Sequence, residues 1–202
     1  MDSLYRPGSA WQAQAQAVAS ELRSSPDADI RNLAAILDAH LLLMQDRFDE
    51  AADAFEAAVA RGGGTWAAET PVYMVGDCHL LAGRPQAALA AYARGVGYAR
   101  DTAQRINIAF QGEGIVAALA DIGRHEEAFE TLGACDTLTG KSVLPRERNA
   151  FWGSVMKGRI ESSRAALGEP AADAAYARGR TLGVEKAMEL LLSYDAPVRA
   201  AA

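Results

Sequence analysis

One stretch of the sequence resembles a phosphate-binding loop. Residues 135–142 end in Gly-Lys-Ser, as such a loop does, but Cys135 stands where the loop has its first glycine. A phosphate loop also needs a strand before it and a helix directly after it, so that backbone N–H groups converge on the phosphate. Here a helical pattern precedes the stretch and Pro145 soon follows it. We therefore interpret the stretch as a linker that carries an exposed lysine.

The histidines and a glycine run are the other candidates for chemistry. The three histidines, His40, His79 and His125, form no pair spaced four residues apart. Cys78 and His79 are adjacent, so their side chains point in different directions on a helix. We therefore predict no metal site. The glycines at 62–64 could offer backbone amides to an anion but are more typical of a flexible turn. No nucleophile–base pair or paired carboxylates stand out from the many surface acids. We expect neither a catalytic activity nor a cofactor.

Composition indicates the fold class. The 202 residues include 44 alanines and are 50% hydrophobic, which favours an almost entirely helical, core-forming chain and excludes a disordered one. The net charge of −6 opposes a general nucleic-acid or anionic-membrane surface. Cys78 and Cys135 lie in helical patterns, as reduced buried thiols do. With no signal-like start and no run of 18 apolar residues, the chain is expected to be cytoplasmic and not membrane-bound.

An internal repeat dominates the sequence. Four similar turns, spaced 37, 40 and 45 residues apart, are anchored on Arg47, Arg84, Arg124 and Glu169. Each turn follows a long apolar helical pattern and precedes a shorter, alanine-rich one. Three turns contain a glycine, and we expect these glycines to end a helix in the left-handed conformation: Gly83, Gly123 and Gly168.

The periodicity predicts ten helices arranged as pairs. The predicted helices lie near 9–24, 27–45, 48–61, 66–83, 85–101, 105–122, 125–138, 145–167, 170–181 and 184–193. They make four helix pairs near 27–61, 66–101, 105–138 and 145–181, with flanking helices at 9–24 and 184–193. We predict an all-α fold in which residues 1–202 form a single domain, a right-handed superhelix of stacked pairs.

Small and large residues alternate at the predicted contacts between helices. Small residues at 51, 88 and 128 are followed one turn later by Phe55, Tyr92 and Leu132, which is the pattern of tetratricopeptide repeats. The glycines in 95–97 and 112–114 lie inside helical patterns, so we interpret them as close-packing sites and not as phosphate cradles.

In such a stack the first helix of each pair lines a concave groove. The residues that we predict to line it, together with Ile36, are His40, Thr70, Tyr73, Asp77 and Glu113. This lining is partly aromatic and acidic, so the hypothesis is a groove for an apolar or cationic partner. The alternative is an ordinary set of solvated polar residues with no ligand.

A basic segment is the second candidate surface. Residues 141–164 contain six basic side chains, Lys141, Arg146, Arg148, Lys157, Arg159 and Arg164, against two glutamates. The segment could dock an acidic domain or a phosphate-rich partner, but it fits the solvated face of one helix better. Trp152, Val155 and Met156 on the same helix are interpreted as core.

The C-terminal half resembles a known family. The residues that carry the resemblance are 114–134, Leu144-Pro145, 164–168 and 179–187. In that order they resemble the C-terminal helical region of large bacterial ATP-dependent regulators, the LuxR-type and antibiotic-regulatory-protein-type transcription factors. The match covers about residues 105–193, whereas 9–101 match only as generic repeats. The resemblance implies a sensor or scaffold arm that follows an NTPase domain.

The chain departs from that family at three points. Gly183 stands where the family has a Ser or Thr helix cap. No helix-turn-helix follows Tyr194 and no NTPase domain precedes the repeats, so we expect either a fragment of a regulator or a free-standing relative.

The leading functional hypothesis is a non-enzymatic helical repeat module that acts by binding, as an arm of a bacterial transcriptional regulator. The alternative is an independent tetratricopeptide adaptor with no transcriptional role. The expected partner is a protein or another domain of the same regulator, with a small-molecule effector as a further candidate and no direct nucleic-acid binding. A homodimer is one candidate assembly, because the apolar ends of such a stack tend to self-associate.

Overall fold

The computed structural model describes residues 10–62, 66–101, 105–140 and 150–195, which contain ten helices and no strand. The helices are α1 (Ala10–Arg23), α2 (Ala28–Leu43), α3 (Phe48–Gly62), α4 (Trp66–Leu81), α5 (Pro85–Asp101), α6 (Arg105–Asp121), α7 (His125–Thr139), α8 (Ala150–Leu167), α9 (Glu169–Thr181) and α10 (Val184–Ser193). The prediction of an all-helical chain is confirmed. The predicted and observed ends agree to within two residues, except that α8 begins at Ala150, and residues 145–149 lie outside the described ranges.

The chain divides between Gly83 and Arg84 into two compact units, one holding α1–α4 and the other α5–α10. In the first unit α1 packs on α2, α2 on α3, and α3 on α4, with a smaller contact between α2 and α4. The boundary falls between the two helices of the predicted pair 66–101, and the prediction of a single domain stays a prediction.

The core of the first unit lies along α2, α3 and α4. Ala51 and Phe55, the small and aromatic residues of the repeat pattern, are both fully buried on α3. Asn32 on α2 is also buried, and its amide nitrogen donates to the carbonyl of Ala58 over 3.0 Å. The side chain of Arg61 donates to the Asn32 amide oxygen over 3.1 Å. This buried amide therefore ties α2 to the end of α3 with both of its polar atoms satisfied.

The second unit is built around α7. This helix packs on α6, α8, α9 and α10, while α5 packs on α6 and α10. The largest fully buried side chains of the unit include Tyr92, Ile115, Leu119 and Phe129. Small side chains let the helices approach closely around this core, because a residue without bulk does not push the two backbones apart.

Several helices of the structure are followed by a residue in the left-handed conformation. At α6–α7 the N–H of Gly123 bonds to the Ala120 carbonyl and the N–H of Arg124 to the Leu119 carbonyl, which is a Schellman motif. Gly83, Gly123 and Gly168 all have positive φ, which confirms the prediction for these glycines. At α2–α3 Asp46 takes the same conformation with φ 57°, a position that the glycine pattern does not mark. Asp tolerates this region better than most residues because its short side chain bonds locally.

The predicted close-packing glycines contact neighbouring helices. A Cβ on Gly112 would meet the Cys135 sulfur, one on Gly114 would meet the Tyr92 ring, and one on Gly95 would meet the Gln111 amide. These contacts confirm Gly95, Gly112 and Gly114 as close-packing sites, whereas a Cβ on Gly97 would only make an ordinary contact with Leu192 at 3.7 Å. Gln111 is fully buried, and neither its Nε2 nor its Oε1 has a hydrogen-bond partner among the described residues, so packing at this point costs stability.

α7 and α9 approach each other closely in the second unit. A Cβ on Gly133 would collide with the backbone carbonyl of Tyr176 and lie 2.8 Å from the Arg180 nitrogen. Conversely, a Cβ on Gly179 would collide with the Glu130 carbonyl and lie 2.8 Å from the Ala134 nitrogen. The two helices thus touch backbone to backbone, and only glycine fits on either side of the contact.

Polar contacts flank this crossing on both sides. The Tyr176 hydroxyl donates to an Asp136 carboxylate oxygen over 2.6 Å. Arg178 pairs with Glu126 at 2.5 Å and with Glu130 at 3.5 Å. Because these partners lie along both helices, they fix the rotation of α9 on α7 in addition to its distance.

The last helix is held by a buried hydroxyl pair. Tyr194, at the end of α10, is only 8% exposed, and its hydroxyl lies 3.1 Å from the hydroxyl of Thr131 on α7. The guanidinium of Arg124 lies 5.5 Å from the centre of the Tyr194 ring, a cation–π distance. Burial raises the pKa of the Tyr194 hydroxyl to about 12, because the charged phenolate is poorly solvated there.

Gly133→Ala and Gly179→Ala should each lower the free energy of unfolding by about 3 kcal/mol, because the added methyl group meets backbone that cannot move away without separating α7 from α9. Chemical denaturation followed by circular dichroism measures this. The matched control is Gly158→Ala in α8, where a Cβ meets nothing within 4 Å; it should raise stability by up to about 1 kcal/mol. Equal effects at the three positions would contradict the crossing.

Stability should fall as the pH rises from about 10 towards 12. The pKa of Tyr194 is raised in the folded state, so the unfolded chain loses the hydroxyl proton at a lower pH than the folded chain does. The stabilisation from the protonated hydroxyl is therefore fully present below pH 10 and is lost as the pH rises towards 12. A shift of this size corresponds to about 2–3 kcal/mol at most. Thermal unfolding at a series of alkaline pH values measures it, and Tyr194→Phe should flatten the dependence. An unchanged alkaline slope in that variant would contradict the buried hydroxyl.

Candidate functional site

The predicted groove residue His40 is part of the packing of the first unit. It is half-buried on α2, and its Nδ1 donates to the Ile36 carbonyl over 2.8 Å. The edge of its ring meets Phe55, with 4.9 Å between ring centroids and an interplanar angle of 89°. Burial lowers the pKa of His40, and the bond to Ile36 opposes that shift without overcoming it. Burial outweighs the bond to Ile36, so His40 is a neutral histidine that packs against α3.

The other predicted groove residues are distributed over α4 and α6. Tyr73 is half-buried and Asp77 is 5% exposed, both on α4 in the first unit. Thr70 belongs to the same helix, but its side chain lies outside the described ones. Glu113 is 8% exposed on α6, in the second unit. The two carboxylates are therefore largely covered, and their role as an acidic lining stays a prediction.

A cavity that the repeat pattern does not predict lies between α6 and α8 in the second unit. We name it the α6–α8 groove; its volume is about 330 Å³, and it is lined by Ala120, Asp121, Val155, Gly158, Arg159, Ser162 and Ser163. On α8 these residues recur every three or four positions, so they share one face of the helix. The volume lies at the lower end of the range found for small-ligand sites.

Small residues line both sides of the groove. Ala120 lies on the α6 wall, and Gly158 and Ser162 lie on the facing side of α8. A Cβ on Gly158 would meet no atom within 4 Å, so it would point into open space. At the crossing of α7 and α9, by contrast, the space beside a glycine is filled by the opposite backbone.

An ion pair forms the polar wall of the groove. Arg159 Nε and Nη2 both donate to Asp121 Oδ2, over 3.0 Å and 2.8 Å, and Nη1 donates to the Val155 carbonyl over 3.3 Å. The side chains of Arg159 and Asp121 are 24% and 30% exposed, so the pair is partly shielded from water and still reachable from the groove. Asp121 Oδ1 has no hydrogen-bond partner among the described residues. The pair can therefore offer one carboxylate oxygen and the remaining guanidinium N–H groups to a ligand.

The base of the groove is anchored by a hydroxyl. Ser163 is 2% exposed, and its Oγ lies 3.0 Å from Nδ1 of His125 at the start of α7. Ser162, one residue earlier, is exposed and also lines the groove. The bond between His125 and Ser163 fixes α8 against α7, so the polar wall is held in place by packing and is not carried on a loop.

The basic segment is largely neutralised within the chain where the structure describes it. Lys157 pairs with Glu161 at 3.8 Å, and Arg164 pairs with Glu169 and Asp173 while lying over the Phe129 ring at 4.9 Å. Lys141, Arg146 and Arg148 lie outside the described residues. The described part therefore favours the interpretation as a solvated helix face over a docking patch. Met156 is buried as predicted, Val155 lines the groove, and the Trp152 side chain is not described.

The remaining sequence candidates can be placed only in part. Cys135 is buried inside α7, which continues to Thr139, so a helix does precede the Gly-Lys-Ser stretch. Lys141 and Ser142 lie outside the described residues, and so do Gly63 and Gly64 of the glycine run. Within the described ranges, His, Cys, Asp and Glu form no group of three or more that could hold a metal ion. Among the described helices, none has the length and apolar character that crossing a membrane requires.

Neither family models, nor curated proteins, nor solved structures match this chain. The resemblance of residues 105–193 to the helical region of LuxR-type regulators therefore rests on the sequence pattern alone. The sequence identifies Arg159 only as one of six basic residues in its segment. No spacing in the sequence predicts its pairing with Asp121, which lies 38 positions earlier.

The pKa of His40 should lie below 6.5, which a titration of its imidazole C–H signals by NMR would measure. Because the folded state prefers the neutral ring, the unfolded chain takes up the proton first, and stability should fall as the pH drops below about 6.5. His40→Phe keeps an aromatic ring against Phe55 and should weaken this acid dependence. A His40 pKa above 6.5 would contradict the burial that we describe.

Proposed function

We propose that the chain is a non-enzymatic helical repeat module that acts by binding, as a sensor or scaffold arm of a bacterial transcriptional regulator. The right-handed superhelix of about four tetratricopeptide-like pairs is part of this proposal. In the proposed mechanism, occupancy of a surface on the repeats alters their contact with an NTPase or DNA-binding partner. The α6–α8 groove is the binding surface that the geometry supports best.

The α6–α8 groove is the observation that carries this proposal. It combines a cavity of about 330 Å³ with a partly buried ion pair and exposed and buried hydroxyl groups. The groove is open to solvent on one side, and a few fixed polar groups beside small apolar residues are one feature that it shares with binding sites. The groove lies within residues 105–193, the part of the chain that resembles the regulators.

The packing of the second unit supports a mechanical link between this groove and a partner. α8, which forms one wall, packs on α6, α7 and α9, and α9 is fixed on α7 through the glycine crossing. A change in the distance between α6 and α8 must therefore be taken up by helices that reach the surface elsewhere. Rigid packed elements of this kind are the means by which one site influences another.

The alternative, an independent adaptor, makes a different prediction about partners. Affinity purification of the tagged full chain after cross-linking in cells should recover a protein that carries an NTPase or a helix-turn-helix domain if the regulator proposal holds. Recovery of partners with neither domain would contradict that proposal and support the adaptor. The reading frame around the gene gives an independent test, because an NTPase domain encoded upstream in the same frame would identify the chain as a regulator arm.

Arg159→Glu should lower the amount of the recovered partner by about fivefold or more, which corresponds to a coupling free energy of about 1 kcal/mol. The physical reason is that two carboxylates then meet at the groove wall and separate α6 from α8. Lys157→Glu is the matched control, because it makes the same charge change on an exposed position of the same helix. Quantitative mass spectrometry measures both, and equal effects of the two variants would contradict a role for the groove.

A further inference from the structure

The α6–α8 groove also carries information about the chemical class of its ligand, an inference that rests on the proposed binding function. Its polar wall holds two opposite charges side by side, with 2.8 Å between Arg159 Nη2 and Asp121 Oδ2. A ligand with only an anionic group that reaches Arg159 also approaches the carboxylate of Asp121, which repels it. A ligand with only a cationic group that reaches Asp121 is repelled by the guanidinium of Arg159. Since both side chains are partly buried, these unfavourable contacts are less screened than at an open surface.

A ligand that carries both charges avoids this conflict. If its carboxylate faces the guanidinium and its ammonium faces the aspartate, both contacts are favourable and the ligand dipole opposes that of the ion pair. The wall has atoms for both contacts. Arg159 has five N–H groups, of which three donate to Asp121 and the Val155 carbonyl, and Asp121 Oδ1 accepts no hydrogen bond from the described residues.

The backbone of α6 adds to the site for the ammonium. Asp121 is the last residue of α6, where the helix dipole contributes partial negative charge. A positive group near Asp121 Oδ1 thus interacts favourably with the carboxylate and with the helix end. The guanidinium, by contrast, belongs to the middle of α8 and receives no such help, so the two ends of the site differ and impose one orientation on the ligand.

The rest of the groove limits the size of the ligand. Val155 and Ala120 provide an apolar surface, Gly158 leaves space beside it, and Ser162 offers a hydroxyl that can donate or accept. The lining on α8 runs only from Val155 to Ser163, about two helical turns. A polypeptide partner would need a longer surface, so the dimensions favour a small molecule.

We propose that the α6–α8 groove binds a small zwitterionic molecule of the amino-acid class, with its carboxylate on Arg159, its ammonium on Asp121 and a short apolar side chain over Val155 and Ala120. Ligand binding at this place joins α6 to α8. The bound molecule therefore fixes the distance between the two helices, which is the change that the proposed sensor function requires.

The test compares three probes on the purified full chain by thermal shift and by NMR of the backbone amides. L-Leucine carries both charges, N-acetyl-L-leucine only the negative one and L-leucinamide only the positive one. L-Leucine at ten times its Kd should raise the Tm by about 3–6 °C and shift the amide signals of Gly158 and Ser162, and neither single-charge probe should do so. An equal response to either single-charge probe, or no response to L-leucine, overturns the proposal.

Two variants locate the site. Gly158→Leu fills the groove from a position where a Cβ meets no atom within 4 Å, so it should abolish the response to L-leucine while the Tm without ligand stays the same or rises. Gly158→Ala is its control and should retain most of the response. Arg159→Gln removes the positive charge and should weaken L-leucine binding by about tenfold or more. A full response in both Gly158→Leu and Arg159→Gln places the binding elsewhere and overturns the proposal.

These results separate the ligand class from the proposed function. If L-leucine fails but a regulator partner is recovered and responds to Arg159→Glu, only the ligand class is wrong. If L-leucine binds in the groove but no partner with an NTPase or helix-turn-helix domain is recovered, the ligand class stands and the regulator function is wrong.

Discussion

The second unit depends on one contact, the crossing of α7 and α9 at Gly133 and Gly179. At this point backbone touches backbone, because the position of a Cβ on either glycine is already taken by atoms of the other helix. The contact fixes α9 on α7, and since α8 is joined to α9 by a short turn, it also limits where α8 can lie. The width of the groove depends on this constraint together with the bonds that join α8 to α7 and α6, His125 with Ser163 and Arg159 with Asp121.

Small residues have opposite consequences in different parts of this unit. At Gly133, Gly112 and Gly114 the absent side chain is replaced by atoms of a neighbouring helix, and the result is close packing. At Gly158 no atom takes that place, and this exposed residue lines the groove. A glycine in a helix only permits a close approach; whether a neighbour uses it depends on how the other helices are fixed.

The ion pairs also differ from one another in how far water reaches them. Pairs such as Lys157 with Glu161 or Arg23 with Asp38 are exposed and contribute little to stability, because water screens them. Arg159 and Asp121 are better shielded, and they lie on the wall of a cavity. Their charges therefore act on whatever enters the groove more strongly than a surface pair would, and this makes the pair a selector of ligand charge.

The sequence by itself determined the local structure. Alanine content, apolar periodicity and the glycines at 83, 123 and 168 were sufficient for the helices and for the left-handed turns, since these depend on residues close together in the chain. Only the tertiary structure decided that Gly133 meets Gly179, that Asp121 pairs with Arg159 and that Gly158 faces open space. Such contacts join residues about 40 positions apart, and they depend on the angles and distances between packed helices, which no local pattern encodes.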